Sequence, residues 1–265
     1  MKTIVVCGFK GGTARTSTTL HLGAALAKFH NQRVLLIDFD PQANLSTGLG
    51  FGTDDHDTMV PVLQGLKTIS EVIKKTSVEG LDIVLANTYL DQVESTAPLV
   101  SDPYAHERLR KSLKNLNYDL CFIDIPPSLG WLCQSAFFAS QHSLICSVPE
   151  PYSVLALKRL AKYHQAINEN HKIDVFGILL SMWDERGPTN KAFTDGIELE
   201  FPKKLLNTRV RRDIAVSRTI LMGLPVFDTA LNSRVSEDYQ ELAKEFMLRC
   251  KSSKQERELV GAKFK

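Results

Sequence analysis

The sequence predicts an α/β protein of three layers, a mostly parallel β-sheet with helices on both faces. Three observations carry that reading. Short apolar, β-branched runs recur along the chain, segments of helical period lie between them, and the first strand–helix junction is rich in glycine. Strands buried on both faces read as continuous apolar runs, and parallel neighbours need a crossover of helix length.

The elements follow in order. "TIVVCGF", Thr3–Phe9, is a buried strand ended by glycines. Thr16–Phe29 places Leu20, Ala24 and Ala27 on one side and reads as a helix, and "RVLLIDFD", Arg33–Asp40, is the second strand. Together they form a βαβ unit with a right-handed crossover. Leu81–Asn87, Asp119–Ile125, Ser143–Pro149 and Asp174–Met182 read as further strands. Helices are expected over Ala105–Leu116, Leu129–Ser140 and Ser153–Asn168, and a last one from about Ser236 to Cys250. No repeat or linker interrupts this pattern, so one domain is expected over 1–250, followed by a basic, flexible tail over 251–265.

Composition narrows the function classes. Over 265 residues, 43% are hydrophobic and 23% charged, which is ordinary globular usage. A net charge of +2 is too mild to imply nucleic acid by itself, so a basic signal must be local. The five cysteines, Cys7, Cys121, Cys133, Cys146 and Cys250, show no C-x-x-C spacing, and the seven histidines no metal-ligand spacing. Reduced, buried thiols in a cytoplasmic protein are the expectation. Met1-Lys2 leads straight into an apolar strand, with no signal peptide and no run approaching the roughly 18 residues of a membrane span.

Three motifs fall at strand ends, where ligands bind in this fold class. The first is "FKGGTARTSTT", Phe9–Thr19. It approximates the phosphate-binding pattern G-x-x-x-x-G-K-[ST], but Phe9, Ala14 and Arg15 stand where Gly, Gly and Lys belong. Backbone N–H groups of Gly11, Gly12, Thr13, Ala14 and Arg15 can cradle phosphate oxygens at the positive end of the following helix, and Thr16 and Ser17 are intact, with the Thr16 hydroxyl a candidate Mg²⁺ ligand. The alternative is a glycine-rich turn without a ligand. The second motif is "DFDPQ", where period-two spacing puts the Asp38 and Asp40 carboxylates on one side of a strand tip, to orient a water or sense Mg²⁺. The third is "CFIDIPPS", with Asp124 after a buried strand in the manner of a Walker-B carboxylate that holds Mg²⁺ through water.

In this order the motifs resemble the deviant Walker A ATPases of the ParA/MinD group. "LLIDFDPQANLSTGLG" and "IDIPPSLG" are similar to ParA proteins in particular, and so are "SMWDERG" (Ser181–Gly187), "TRVRRDIAVSRTILMGLPVF" and "SRVSEDYQELAKE". The resemblance covers nearly the whole chain. It implies a P-loop ATPase fold, ATP and Mg²⁺ as ligands, and an ATP-driven homodimer in which Lys10 reaches the partner's phosphates. It also implies DNA binding without sequence preference, stimulation of hydrolysis by a ParB-type partner, and a role in plasmid or chromosome partition. Carried over, Asp40 positions the attacking water, Thr16 ligates Mg²⁺ with Asp124 in its outer shell, Asp38 supports, and Trp183 and Asp184 lie near the base. For Trp183 plain packing is the even alternative. Trp131 and the Phe137–Phe138 pair are expected to pack rather than to stack on a ligand.

Two departures matter. Ala14 costs little if that position has φ < 0 and more if φ > 0. Arg15 keeps the charge of the usual Lys on a longer, planar head, so binding is expected to survive and hydrolysis to suffer. That keeps a second function in view: an ATP-bound dimer that hydrolyses poorly and regulates plasmid gene expression or copy number. Cys133 stands near where the related nitrogenase iron proteins carry a cluster ligand, but no second Cys matches. Lys203, Lys204, Arg209, Arg211, Arg212 and Arg218 lie within sixteen residues and form a candidate DNA patch, with some of them open to facing the nucleotide instead. A MinD-like membrane switch is disfavoured, because the tail's sizeable apolar residues are Leu259, Val260 and Phe264 only.

Overall fold

The apolar runs assemble into one sheet. The structure, a computed structural model, describes residues 1–8, 10–150 and 153–263, with the side chains of 94, 97, 98 and 253–263 outside that description. In chain order the helices and strands are β1 (Lys2–Cys7), α1 (Arg15–His30), β2 (Val34–Asp38), α2 (Asn44–Gly48), α3 (Met59–Leu63), α4 (Ile69–Val72), β3 (Ile73–Lys75) and β4 (Leu81–Val84). Then come α5 (Ala97–Val100), α6 (Arg108–Ser112), β5 (Leu120–Asp124), α7 (Trp131–Ala139), β6 (His142–Ser147) and α8 (Ser153–Asn168). The chain ends with β7 (Asp174–Trp183), α9 (Asn190–Glu200), β8 (Leu205–Arg211), α10 (Ile214–Met222), α11 (Val226–Thr229) and α12 (Arg234–Lys263).

The strand order is β3-β4-β2-β5-β1-β6-β7-β8, and every neighbouring pair is parallel except β3–β4 at one edge. Alternation along each strand feeds two cores. Val5, Leu35, Ile37 and Ile123 face one core, which α7 and α8 cover with Phe137 and Leu157. Ile4, Val6, Leu36 and Phe122 face the other, covered by α1 and α12 through Leu22, Leu26, Tyr239 and Phe246. A strand that serves both cores has no polar face to show, which is why β1, β2 and β5 read as unbroken apolar runs. Trp131 and Phe138 pack against the first core as expected.

Three elements differ from the sequence reading. β8, "LLNTRVR", was expected only as a basic segment; Leu206 and Val210 enter the core while alternate positions stay polar, as suits an edge strand. The helix expected over Ala105–Leu116 is a 3₁₀ turn, Ala105–Glu107, followed by α6 and then Asn115 at φ 67, where a right-handed helix cannot continue. α12 runs on to Lys263 instead of ending near Cys250, since Lys, Gln, Glu, Arg and Leu are good helix formers and no glycine intervenes before Gly261. Phe9, Phe264 and the side chains of Leu259 and Val260, which figured in that reading, lie outside the described residues.

Candidate active site at the carboxyl ends of the strands

β1 lies between β5 and β6, so the loop after it has a strand tip on each side. The loop passes close to β6: a Cβ at Gly8 would lie 2.6 Å from the Cys146 carbonyl oxygen and 2.9 Å from Thr13 Oγ1, so only glycine fits. The Ser181 hydroxyl, from β7, donates to the Thr13 carbonyl at 2.8 Å and fixes the loop from its far side. The loop closes on Ala14, the residue before α1, at φ 58 and ψ 30. That is the left-handed region, where an alanine costs about 1 kcal/mol relative to glycine.

Arg15 turns inward. Its Nη1 donates to the carbonyls of Gly8 at 2.7 Å and Lys10 at 2.9 Å, both in its own loop. Its Nε is buried and has no partner among the described residues. Lys10 points the other way and forms an ion pair with Glu150, which follows β6.

Beneath the loop lie the carboxylates. Asp38 and Asp124 are opposite each other at the tips of β2 and β5, both fully buried. Asp124 Oδ2 accepts from the Thr16 hydroxyl at 2.7 Å. Asp38 Oδ2 accepts from the backbone N and the hydroxyl of Ser46, at 2.8 and 2.7 Å. Burial, then the negative charge of Asp38, pushes Asp124 up to about 8, against the Thr16 hydrogen bond and the Arg15 charge. Burial raises Asp38 to about 6 despite its bonds to Ser46. Asp40 accepts from Gln42 N at 2.9 Å through Oδ1. Oxygen donors under a phosphate loop, two of them buried carboxylates that resist ionising alone, fit a hard divalent cation such as Mg²⁺. Among the described residues no group of three or more His, Cys, Asp or Glu could hold a metal alone, so ligand oxygens would have to complete such a shell. Cys133 is buried beside Tyr163 and Cys7.

A cavity of about 410 Å³ opens beside the loop, lined among others by Gly12, Glu150, Met182, Asp184 and Arg212. Asp184 carries its carboxylate hydrogen-bonded to Arg186 at 3.1 Å. Trp183 does not line this cavity; it packs on the first core with the Arg209 guanidinium 5.6 Å over its ring. Met182, which does line it, is at φ 52. Sequence reading missed Glu150 and Met182. For Glu150 a signal existed, a carboxylate two residues beyond Val148 at a strand tip next to the loop; for Met182 there was none.

The basic cluster comes apart. Arg211 is spent on Asp238, with Nη2 to Oδ1 at 2.6 Å and Nε to Oδ2 at 3.0 Å. Arg209 lies on Trp183 and caps the carbonyls of Leu206, Asn207 and Thr208. Arg212 is exposed at the cavity and Arg218 is exposed on α10, both at the carboxyl end of the sheet. Lys203 and Lys204 precede β8 and lie at the other end, about 20 Å away at the rise of a strand. Contiguity in sequence concealed this, because a seven-residue strand separates the two pairs.

A central parallel sheet, a loop opening a helix at its middle strand, and acid residues on the adjoining tips define a P-loop nucleoside triphosphatase fold. The solved cobyrinic acid a,c-diamide synthase of Mycobacterium smegmatis, with bound ATP analogue and magnesium, shares this fold at TM-score 0.82 and 24% identity, over 96% of this chain and 97% of that one. A profile of an AAA domain family matches residues 1–175. A ParA family protein of Chlamydia muridarum is 54% identical over 253 residues, 94% of this chain and 99% of that one. The virulence plasmid ParA family protein pGP5-D of Chlamydia psittaci is 39% identical over 245 residues, 92% and 94% of the two chains. The chain belongs to the ParA family.

Proposed function

We propose that this chain is an ATP-binding switch for plasmid or chromosome partition, in which Arg15 slows the catalytic step. The loop from Gly11 to Thr16 and Ser17 receives the triphosphate on its backbone N–H groups, and the cavity beside Gly12, Met182 and Asp184 takes the nucleoside. Thr16 and Asp124 hold Mg²⁺, which when bound neutralises charge on the phosphates. Asp38 keeps its bonds to Ser46 and so fixes the turn that carries Asp40. Asp40, with one oxygen engaged by Gln42 N, uses the other to orient a water toward the terminal phosphate. ATP joins two copies, Lys10 of each meeting the other's phosphates, and the dimer binds DNA without sequence preference through Arg212 and Arg218. A ParB-type partner stimulates hydrolysis and releases it. The setting is cytoplasmic, on nucleoid or plasmid; among the described residues no helix is long and apolar enough to cross a membrane.

One observation carries the slow step: the Arg15 head is held by the Gly8 and Lys10 carbonyls rather than pointing to the loop's mouth. While Nη1 keeps both bonds it is not available to a phosphate, so the head meets one only through what remains of its donors. The same observation favours the second reading, a long-lived ATP dimer that regulates plasmid genes or copy number. Turnover of wild type and Arg15→Lys, with Mg²⁺, ATP and nonspecific DNA and with dimerisation followed in the same samples, separates them. We expect ATP-dependent dimers in both and turnover at least about tenfold faster in the Lys variant, a difference of roughly 1.4 kcal/mol in barrier. Equal turnover in both removes Arg15 from the account, and absence of ATP-dependent dimers removes the switch.

A further inference from the structure

The Lys10–Glu150 ion pair joins the β1–α1 loop to the segment after β6, across 140 positions of sequence. Both backbones are anchored. The Lys10 carbonyl accepts from Arg15 Nη1 at 2.9 Å and from the Thr13 hydroxyl at 3.4 Å. Glu150 N donates to the Val148 carbonyl at 2.8 Å, and its own carbonyl accepts from Ser153 N at 2.9 Å. The two side chains are therefore aimed at each other by fixed main chain. They remain half exposed, and among the described residues the Glu150 carboxylate pairs with Lys10. Glu150 also lines the nucleoside cavity, so a free negative charge there would face incoming phosphates.

We infer that Glu150 is a positioning residue for Lys10: it holds that lysine on its own subunit until the phosphates of a second nucleotide compete for it. This rests on the reading above that ATP joins two copies. The chemistry suits a device that must release. An exposed carboxylate–ammonium pair is weak, and a triphosphate presents more negative charge than one carboxylate. Holding Lys10 in this way also neutralises Glu150 while a nucleotide enters, and keeps the lysine from lying over its own loop.

The test uses the full chain and two readouts. The first is acylation of Lys10 by an amine-reactive reagent in nucleotide-free protein, measured by mass spectrometry against exposed Lys114. The second is the ATP concentration that gives half-maximal dimer in sedimentation. Glu150→Gln removes the charge at a half-exposed position and keeps nearly the same shape, so folding is expected to be unchanged, and thermal unfolding verifies it. We expect Lys10 labelling to rise two- to fivefold in Glu150→Gln, with half-maximal dimer at two- to fivefold less ATP. Glu150→Asp, which keeps the charge, stays near wild type in labelling. Unchanged labelling in Glu150→Gln overturns the inference. So does increased labelling with dimerisation unchanged or weakened. If wild type forms no ATP dimer, it is the switch reading that fails, and the labelling alone decides whether Glu150 holds Lys10.

Discussion

At the scale of single residues, the phosphate loop carries two departures that act on different quantities. Ala14 acts on stability. Its φ of 58 stores about 1 kcal/mol that a glycine would not. Ala14→Gly should therefore raise stability by about 0.5–1 kcal/mol in calorimetry; no rise would mean that the added freedom of the unfolded chain cancels the relief. Arg15 acts on chemistry, through a head tied to two loop carbonyls. His21 adds a pH term. It is fully buried on α1, its Nδ1 accepts from Val226 N at 3.3 Å, and burial lowers its pKa to about 3. Between that value and the ordinary 6.5 the unfolded chain binds a proton that the folded one refuses, so stability falls as pH drops through this window. About 1–2 kcal/mol should be lost between pH 6.5 and 5. His21→Gln keeps an acceptor for Val226 N and should flatten that stretch of the curve in urea titrations at several pH values.

At the scale of elements, what the sequence disclosed depended on whether burial was one-sided or two-sided. β2, β5 and β6 are buried along their whole length and β1 from Thr3 onward, and their apolar runs named them. The three motifs were legible for the same reason, since each ends such a run. β8 was not, because an edge strand with Asn207, Arg209 and Arg211 at alternate positions looks like a charge cluster. β3, three residues of an antiparallel edge, was too short to register. For Trp183 the sequence left base contact and packing open, because one residue of register decides which side of a strand tip a side chain takes; in the structure it packs on the first core, after Met182 at positive φ. α10 illustrates a tighter constraint. Gly223 ends it at φ 66, and a Cβ there would lie 2.5 Å from the Cα of Gly50, just beyond α2. Gly223→Ala combines a left-handed conformation with a backbone clash and should cost at least about 2 kcal/mol in thermal unfolding. A smaller loss would mean that α10 can move off α2 without harm.

At the scale of the whole molecule, charge is arranged by position and not by amount. A net +2 gives no general attraction to nucleic acid. Of the six clustered cations, Arg212 and Arg218 are the two at the carboxyl end with no ion pair among the described residues, and Arg212 lines the cavity beside the loop, while Lys203 and Lys204 lie at the far end. Arg218→Glu should weaken DNA binding severalfold and lower the slope of log affinity against log salt by about one, whereas Lys203→Glu with Lys204→Glu should change neither by much. The reverse ranking in a filter-binding series would move the DNA face to the opposite end.

The strand order has one more consequence, for the chain during its synthesis. β1 is made first, yet it pairs with Leu120–Asp124 on one side and with strand residues from His142 on the other. At about 5–20 residues per second, roughly 7–30 s pass before both neighbours have left the ribosome. Throughout that interval the phosphate loop exists in full as sequence, while the strand beneath it has no sheet to join and its apolar side chains are open to chaperones. Nascent chains stalled before Leu120 should thus carry the whole phosphate loop and none of its hold on phosphate.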